Sequence, residues 1–213
     1  MSFKYERIDK DNVALLIVDH QEGLFQLARD KTPQEFKSSI LAHAELAKVF
    51  NLPTVLTSSA ETGQNGPLPA EVIALHPDGP YIKRQGEDFM NAVAATGKKQ
   101  LIIGGITTDV CTAFLALFLG EAGYTVFANS DASGAFDVKT AQEVNDRMRN
   151  AAVHVLSMFA VSCELMHDWQ NTPEAPELLP FFDKYLPQYG YLTRAHDAAL
   201  VNGTPSEMSE PPA

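Results

Sequence analysis

Short apolar segments alternate with longer amphipathic segments along the 213 residues. The first, Val13–Val18, is continuous and ends at Asp19, as is typical of a strand buried on both faces. Residues 33–50 have helical spacing of their apolar positions, with Thr32 and Pro33 suited to start a helix. Five further strands are predicted at residues 53–57, 80–83, 100–105, 124–128 and 154–158, and the other helices at 71–75, 88–96, 109–122, 138–150, 163–169 and 175–185. This alternation predicts an α/β fold, with a parallel sheet and helices on both faces.

Length and composition fit one packed domain. Hydrophobic residues make up 45% of the chain and charged residues 20%, both ordinary values for a globular protein. From about His196 onward the chain holds little to bury. We therefore predict a domain over residues 1–195 and a flexible C-terminal tail, or an arm lying on a neighbouring subunit, over residues 196–213.

The charge balance narrows the range of partners. Sixteen basic residues against 27 acidic residues give a formal charge of −11, which repels nucleic-acid phosphates and anionic membranes. The polar N-terminal residues show no apolar signal segment, and the apolar runs are too short to span a membrane. Two cysteines are too few for a disulfide framework. We expect a cytoplasmic protein with neither nucleic-acid nor membrane partners.

Chemically useful side chains follow the predicted strands, at the edge where parallel sheets bind ligands. They lie in residues 19–21, 57–59, 83–84, 104–111 and 131–134. A carboxylate, Asp19, two cations, Lys83 and Arg84, and a thiol, Cys111, therefore converge on one rim. No dinucleotide, phosphate-loop, nucleophile-elbow or metal-ligand motif is present, so we predict neither a metal nor a cofactor.

Cys111 is the most informative of these residues. It lies in the first turn of a predicted helix, where unpaired N–H groups and the helix dipole stabilise a thiolate and can hold an oxyanion. Its position also allows a second interpretation, in which Cys111 acts only as a small buried hydrophobic residue. Asp19 could instead cap a turn, and Lys83 and Arg84 could be solvated surface charges.

Three motifs resemble those of the isochorismatase-like cysteine hydrolases. They are LLIVDHQ at residues 15–21, IGGITTDVC at 103–111 and DASG at 131–134. Further stretches, at residues 50–54, 61–67 and 95–100, resemble the YcaC subgroup of that family, and the resemblance covers about residues 5–169. It implies an isochorismatase-like (Rossmann-like) fold with six parallel strands in the order 3-2-1-4-5-6.

The resemblance also implies a catalytic triad of an aspartate, a basic residue and a cysteine. Carried over to this sequence, these are Asp19, a basic residue ending the third strand, and Cys111. Arg84 occupies the family position in register with the preceding Tyr-Ile pair, and Lys83 is the alternative that most of the wider family would offer.

The oxyanion site is implied by the same resemblance. The family carries a cis peptide bond shortly before the cysteine, which here falls between Ile106 and Thr107. The backbone N–H groups of Thr107 and Cys111 would then hold the oxyanion. The substrate pocket is assigned to His20, Gln21, Phe25, Ser58 and Thr108.

Departures from related sequences bear on the substrate. The loop after Gly86 is shorter than in the subgroup, which changes the walls of the pocket. Residues 58–64 contain no histidine, which argues against the zinc ion and the nicotinamide substrate of one branch. Cys111 argues against the vinyl-ether cleavage of the isochorismatases proper.

These observations favour a hydrolase that cleaves a small amide or related C–N bond through a cysteine thioester. An alternative is a catalytically weak oligomeric assembly or binding protein of the same fold, and a third is a redox-responsive thiol protein. The implied partners are a small-molecule substrate and further copies of the chain, because the subgroup forms ring-like octamers.

Overall fold

A computed structural model describes residues 5–83, 88–168 and 175–201. Its strands are β1 Val13–Val18, β2 Thr54–Ser58, β3 Tyr81–Lys83, β4 Gln100–Gly105, β5 Thr125–Asn129 and β6 His154–Leu156. All neighbouring strands are parallel, and the six-stranded sheet has the order β3-β2-β1-β4-β5-β6. The predicted fold class and strand order are confirmed.

The helices of the described residues cover both faces of this sheet. They are α1 Pro33–Val49, α2 Ala70–Leu75, α3 Asp88–Ala95, α4 Ala113–Glu121, α5 Val138–Asn150, α6 Met158–Met166, α7 Ala175–Tyr185 and α8 Pro187–Val201. Two short turns complete the set, a 3₁₀ turn at Leu24–Leu27 and a π-helical turn at Thr108–Thr112.

The central strand β1 separates two hydrophobic cores. Alternate side chains of a strand point to opposite faces. Leu15 and Ile17 therefore pack with α1, α6 and α7, whereas Leu16 and Val18 pack with α3, α4 and α5. All six residues of β1 are buried, as its continuous apolar sequence predicts.

Two helix starts differ from the prediction. The helix predicted at residues 109–122 begins as the π-helical turn, and α4 itself starts at Ala113. The sixth strand ends at Leu156 because Ser157 caps α6, its side chain accepting the N–H of Ala160 at 3.3 Å. The helix predicted at 163–169 consequently starts earlier and ends at Met166.

Helix α8 was not predicted from the sequence. This helix starts at Pro187, packs against α7, and continues to Val201, past the expected start of the tail at residue 196. Proline is well suited to the first turn of a helix because its missing N–H would have no partner there. Residues 202–213 lie outside the described part of the chain.

Candidate active site

Asp19 and Cys111 follow the carboxyl ends of two adjacent strands, β1 and β4. Val18, the last residue of β1, is in register with Thr57 of β2 on one side and with Gly105 of β4 on the other. The chain that leaves β1 carries Asp19, and the chain that leaves β4 carries the turn that contains Cys111. The sheet order therefore brings these two segments to one edge.

The Asp19 carboxylate is buried and held by hydroxyl groups of the β2 segment. Thr57 Oγ1 donates to Asp19 Oδ1 at 3.2 Å, and Ser59 Oγ donates to Asp19 Oδ2 at 3.1 Å. The Asp19 N–H donates to the Thr57 carbonyl at 3.1 Å, and the backbone turns here with a φ of 51°. These bonds fix both oxygens of an acidic side chain whose residue is 0% exposed.

A strap of hydrogen bonds holds Ser59 in place. Gln21 accepts the N–H of Ser59 and donates to its carbonyl, both at 2.9 Å. Asn65 donates to the same carbonyl at 2.9 Å and to the Ser59 hydroxyl at 3.3 Å. The loop after β1 and the loop after β2 therefore form one unit around the carboxylate.

Gly23 lies where these two loops touch. Its N–H donates to the Asn65 carbonyl at 2.9 Å. A Cβ atom at this position would overlap the carbonyl oxygen of Gln64. Glycine is required here because the two backbones are in direct contact.

Ser58 was predicted to line the pocket, and Thr57 and Ser59 are the residues that bind the carboxylate. Ser58 Oγ donates to Glu61 at 3.3 Å instead. The period of two along a strand puts Thr57 and Ser59 on one face and Ser58 on the other. That alternation was the sequence signal that could have identified them.

Cys111 lies in the π-helical turn that follows β4. The residue is partly exposed, its thiol is free, and its side chain packs against the core beside α4. The peptide bond between Ile106 and Thr107 is cis. The Thr107 carbonyl accepts the N–H groups of Val110 at 3.3 Å and of Thr112 at 3.1 Å. The cysteine is thus presented by a closed turn at the strand end.

The loop after β5 holds this turn from the other side. The N–H of Thr108 donates to the Gly134 carbonyl at 2.8 Å, and the N–H of Gly134 donates to the Gly105 carbonyl at 3.2 Å. Within the described ranges, the Thr108 hydroxyl is buried without a hydrogen-bond partner. This predicted pocket residue therefore retains an unused donor beside the cysteine turn.

His20 ties the β5 loop to β1. One ring nitrogen, Nε2, lies 2.7 Å from the Ala132 carbonyl and donates to it. Burial lowers the pKa of His20 to about 4, so the ring is neutral near pH 7. The other nitrogen, Nδ1, is buried and has no partner among the residues that the structure describes.

The remaining pocket candidate, Phe25, lies in the 3₁₀ turn. Its ring stacks on that of Phe36, with 5.5 Å between the centroids and 22° between the planes. Phe25 therefore joins the loop after β1 to helix α1.

Of the two basic candidates, the described residues include only Lys83. Its ammonium pairs with Glu61 at 3.0 Å, and its side chain is 67% exposed. The hydrogen bond and charge of Glu61 raise the pKa of Lys83, and Lys83 in turn lowers the pKa of Glu61. Arg84 lies outside the described residues.

No group of three or more His, Cys, Asp or Glu side chains is arranged to hold a metal ion among the described residues. None of the helices there is both long enough and apolar enough to cross a membrane.

The fold and this arrangement define a family. Residues 13–159 match the Isochorismatase domain model, and the chain belongs to the isochorismatase family. It is 48% identical over 204 residues to the probable hydrolase YcaC of Escherichia coli strain K12, an alignment that covers 92% of this chain and 97% of that protein. The chain is thus an isochorismatase-family hydrolase similar to YcaC, which confirms the resemblance drawn from the three motifs.

Solved structures agree with this assignment. The Escherichia coli YcaC gene product, described as an octameric hydrolase of unknown specificity, is 47% identical with a TM-score of 0.88 over 92% of this chain and 99% of that chain. YcaC from Pseudomonas aeruginosa, solved with hexane-2,5-diol and covalent acrylamide, is 45% identical with a TM-score of 0.88 over 92% and 100%. The Bacillus subtilis nicotinamidase PncA, 13% identical with a TM-score of 0.58 over 68% and 99%, shares the fold.

Proposed function

We propose that this chain is a cysteine hydrolase that cleaves a small amide or a related C–N bond through a thioester. The observation that carries the proposal is the pairing of two features at one sheet edge. A partly exposed free thiol, Cys111, lies in the turn after β4. A buried carboxylate, Asp19, is held by two hydroxyl groups at the end of the adjacent strand β1. A thiol and an oriented acid-base group are the two parts that nucleophilic amide cleavage needs.

The proposed reaction has two halves. Asp19 accepts the thiol proton, and the Cys111 thiolate attacks the carbonyl carbon while the oxyanion is held by the N–H groups of Thr107 and Cys111. Asp19 then gives the proton to the leaving amine as the C–N bond breaks and a thioester remains. In the second half Asp19 takes a proton from water, the hydroxide attacks the thioester, and the proton returns to the departing thiolate.

A cation beside Asp19 would keep the carboxylate ionised and stabilise the thiolate. We assign this role to Arg84, with Lys83 as the alternative. The support is the ion pair of Lys83 with Glu61 at 3.0 Å, which engages that ammonium elsewhere. The proposal uses no metal and no cofactor.

A relative supplies chemical support. The Pseudomonas aeruginosa YcaC structure holds covalent acrylamide, a small molecule with an amide and an electrophilic alkene. A covalent adduct of that molecule requires a nucleophile in that protein. We propose that Cys111 is the nucleophile in this chain and that the substrate pocket accepts a small carboxamide.

We also propose that the chain forms a homo-oligomer, and that an octamer is the state to test for. The support is the octameric state of the Escherichia coli relative. A catalytically weak assembly protein remains the second candidate function, favoured by the partly exposed apolar residues on α4. The proposed location is the cytoplasm, where the free thiols of Cys111 and Cys163 would stay reduced.

The first experiment measures the rate of iodoacetamide labelling at Cys111 between about pH 5 and 9, by peptide mass spectrometry. Cys163 is the internal control, because burial raises the pKa of its thiol. We expect Cys111 to be labelled much faster than Cys163 at neutral pH. Asp19→Asn and Arg84→Ala should slow Cys111, whereas Lys83→Ala should not.

The second experiment screens small amides for turnover. The proposal requires saturable turnover that disappears in Cys111→Ala, with Cys163→Ala as the matched control. Full turnover by Cys111→Ala on a confirmed substrate would rule out the mechanism. Equal labelling rates of the two cysteines, together with no turnover at high enzyme concentration, would favour the assembly protein.

A further inference from the structure

The DASG motif at residues 131–134 has no part in the proposed reaction, yet it lies directly against the cysteine turn. Gly134 forms a parallel bridge with Ile106, and its carbonyl accepts the N–H of Thr108 at 2.8 Å. Thr108 is the first residue of the π-helical turn that carries Cys111. The position of this turn therefore depends on where Gly134 is held.

A nearly buried aspartate holds the residue that follows Gly134. Asp30 Oδ1 accepts the N–H of Ala135 at 2.8 Å, and the Asp30 N–H donates to the Ala135 carbonyl at 3.2 Å. The Arg29 N–H donates to the same carbonyl at 2.7 Å. The Asp30 side chain is only 4% exposed. Both polar groups of the Ala135 backbone are therefore bound by one short segment of chain.

A lysine holds the residue that precedes Gly134. The Lys31 ammonium donates to the Ser133 carbonyl at 2.8 Å and pairs with Asp30 Oδ2 at 2.6 Å. A buried carboxylate is costly without a partner of opposite charge, and Lys31 supplies that charge. The name Asp30–Lys31 clamp is used below for this ion pair, which grips the chain on both sides of Gly134.

Helix α1 fixes the Asp30–Lys31 clamp relative to the sheet. The clamp directly precedes α1, whose first turn is closed by a capping box between Thr32 and Glu35. Phe36 of this helix is 1% exposed and belongs to the core. A Cβ atom on Gly134 would overlap the Phe36 ring, so the DASG motif and α1 are in direct contact at this glycine.

We propose that Asp30 is a positioning residue for Cys111 and acts, together with Lys31, through the DASG motif on the cysteine turn. The inference rests on the proposed function, in which the thiol of that turn gives its proton to Asp19. A displacement of a nucleophile by about 1 Å can cost about a hundredfold in rate. A clamp on Gly134 therefore bears on the reactivity of the thiol as well as on the stability of the fold.

The test measures iodoacetamide labelling of Cys111 at about pH 7 and about pH 9, with Cys163 as the internal standard. Near pH 9 an ordinary thiol is largely ionised without assistance, whereas near pH 7 the proposed reaction requires a well-placed acceptor for its proton. We expect Asp30→Ala to label Cys111 about tenfold more slowly at about pH 7, the effect of one hydrogen bond to a charged group. At about pH 9 its rate should be close to that of the wild type.

Two further variants separate positioning from a general loss of stability. Asp30→Asn keeps a side-chain oxygen that can accept the Ala135 N–H, and it should recover most of the rate. Asp9→Ala removes an exposed carboxylate that also accepts a backbone N–H, that of Asp11 at 3.0 Å, in the segment before β1. This control should label Cys111 at the wild-type rate.

A folded Asp30→Ala that labels Cys111 at the wild-type rate near pH 7 would overturn the proposal, and so would an equal slowing at both pH values. Faster labelling of both Cys111 and Cys163 would mark an unfolded variant. In that case Lys31→Met, which removes the donor to the Ser133 carbonyl, is measured in the same way, and an unchanged rate overturns the proposal. A wild type in which Cys111 labels no faster than Cys163 near pH 7 would instead overturn the proposed function.

Discussion

Acid should destabilise this protein through two buried histidines, His20 and His43. Their rings lie 6.1 Å apart, and both residues are almost fully buried. Burial lowers the pKa of His20 to about 4 and that of His43 to about 3, and in His43 the nearby His20 adds to the effect. Both rings are therefore neutral in the folded protein throughout the physiological range.

Burial is the main cause of the lowered pKa of His43, and its hydrogen bond with Asn129 also disfavours a second ring proton. Its Nε2 lies 3.1 Å from the Leu16 carbonyl, to which it donates. Its Nδ1 lies 3.2 Å from Asn129 Nδ2, so it accepts from that amide. A second ring proton would meet the Asn129 amide hydrogen and would place a buried charge between α1 and the sheet.

The sign and size follow from linkage. A histidine in the unfolded chain has a pKa near 6.5, so below that pH the unfolded state binds a proton that the folded state refuses. Stability is complete above about pH 6.5 and is lost as the pH falls. Between about pH 7.5 and 5.5 the loss is about 1 kcal/mol for each histidine and about 2–3 kcal/mol for the pair.

Urea unfolding at fixed protein concentration measures this loss. The comparison is between the wild type and His43→Gln, in which one titrating ring is gone. The variant will be less stable overall, but its loss of unfolding free energy across the same pH range should be about 1 kcal/mol smaller than that of the wild type. His76, whose pKa burial also lowers, contributes equally to both. An unchanged pH dependence in His43→Gln would refute the argument.

Two further predictions concern the loops around the carboxylate. Ser59→Ala removes the hydroxyl that donates to Asp19 at 3.1 Å and should slow labelling of the candidate nucleophile about tenfold, as expected for a hydrogen bond to a charged group. The Ser58 hydroxyl donates to Glu61 instead, so Cys111 in Ser58→Ala should be labelled at the wild-type rate. Equal labelling rates in Ser59→Ala and Ser58→Ala would contradict the assignment of Ser59 as the partner of Asp19. Gly23→Ala should lower the free energy of unfolding by about 1–3 kcal/mol because the new Cβ would overlap Gln64; a urea midpoint within error of the wild type would show that the loops can separate.

The sheet was predictable because its signals are local and repeat. Each strand is a short apolar run, and the alternation of strands with helices fixes a parallel sheet. Because β1 is apolar at every position, it had to lie at the centre with a layer on each side, as it does. The strand order came from the motif resemblance.

Helix α8 could not be predicted in the same way. Its sequence, PQYGYLTRAHDAALV, lacks a continuous apolar face, and it packs mainly against α7. Tyr191 and Leu192 are 68% and 63% exposed. The usual sequence signal of a helix, a stripe of apolar residues that become buried, is therefore weak in this segment.

The hydrogen-bond partners of Asp19 could not be predicted from the sequence for a different reason. Asp19 became a candidate because ligands bind at the carboxyl ends of parallel strands, and the motif resemblance implied its catalytic role. Thr57, Ser58 and Ser59 are consecutive in the sequence. Because the exact end of β2 was not known from the sequence, any of the three side chains could have faced the carboxylate. In the structure β2 continues to Ser58. The side chains of Thr57 and Ser59 therefore point to the face of the carboxylate, and that of Ser58 points to the other face.

The same alternation bears on the choice of cation. Ser58 of β2 is in register with Lys83 of β3, and both side chains reach Glu61. The Asp19 carboxylate is bound from the other face of β2, through the Thr57 hydroxyl. A cation that acts on Asp19 should therefore come from the strand face that Lys83 does not occupy. Through its ion pair with Glu61, Lys83 supports the loop that carries Ser59, and its removal should affect stability before it affects the thiol.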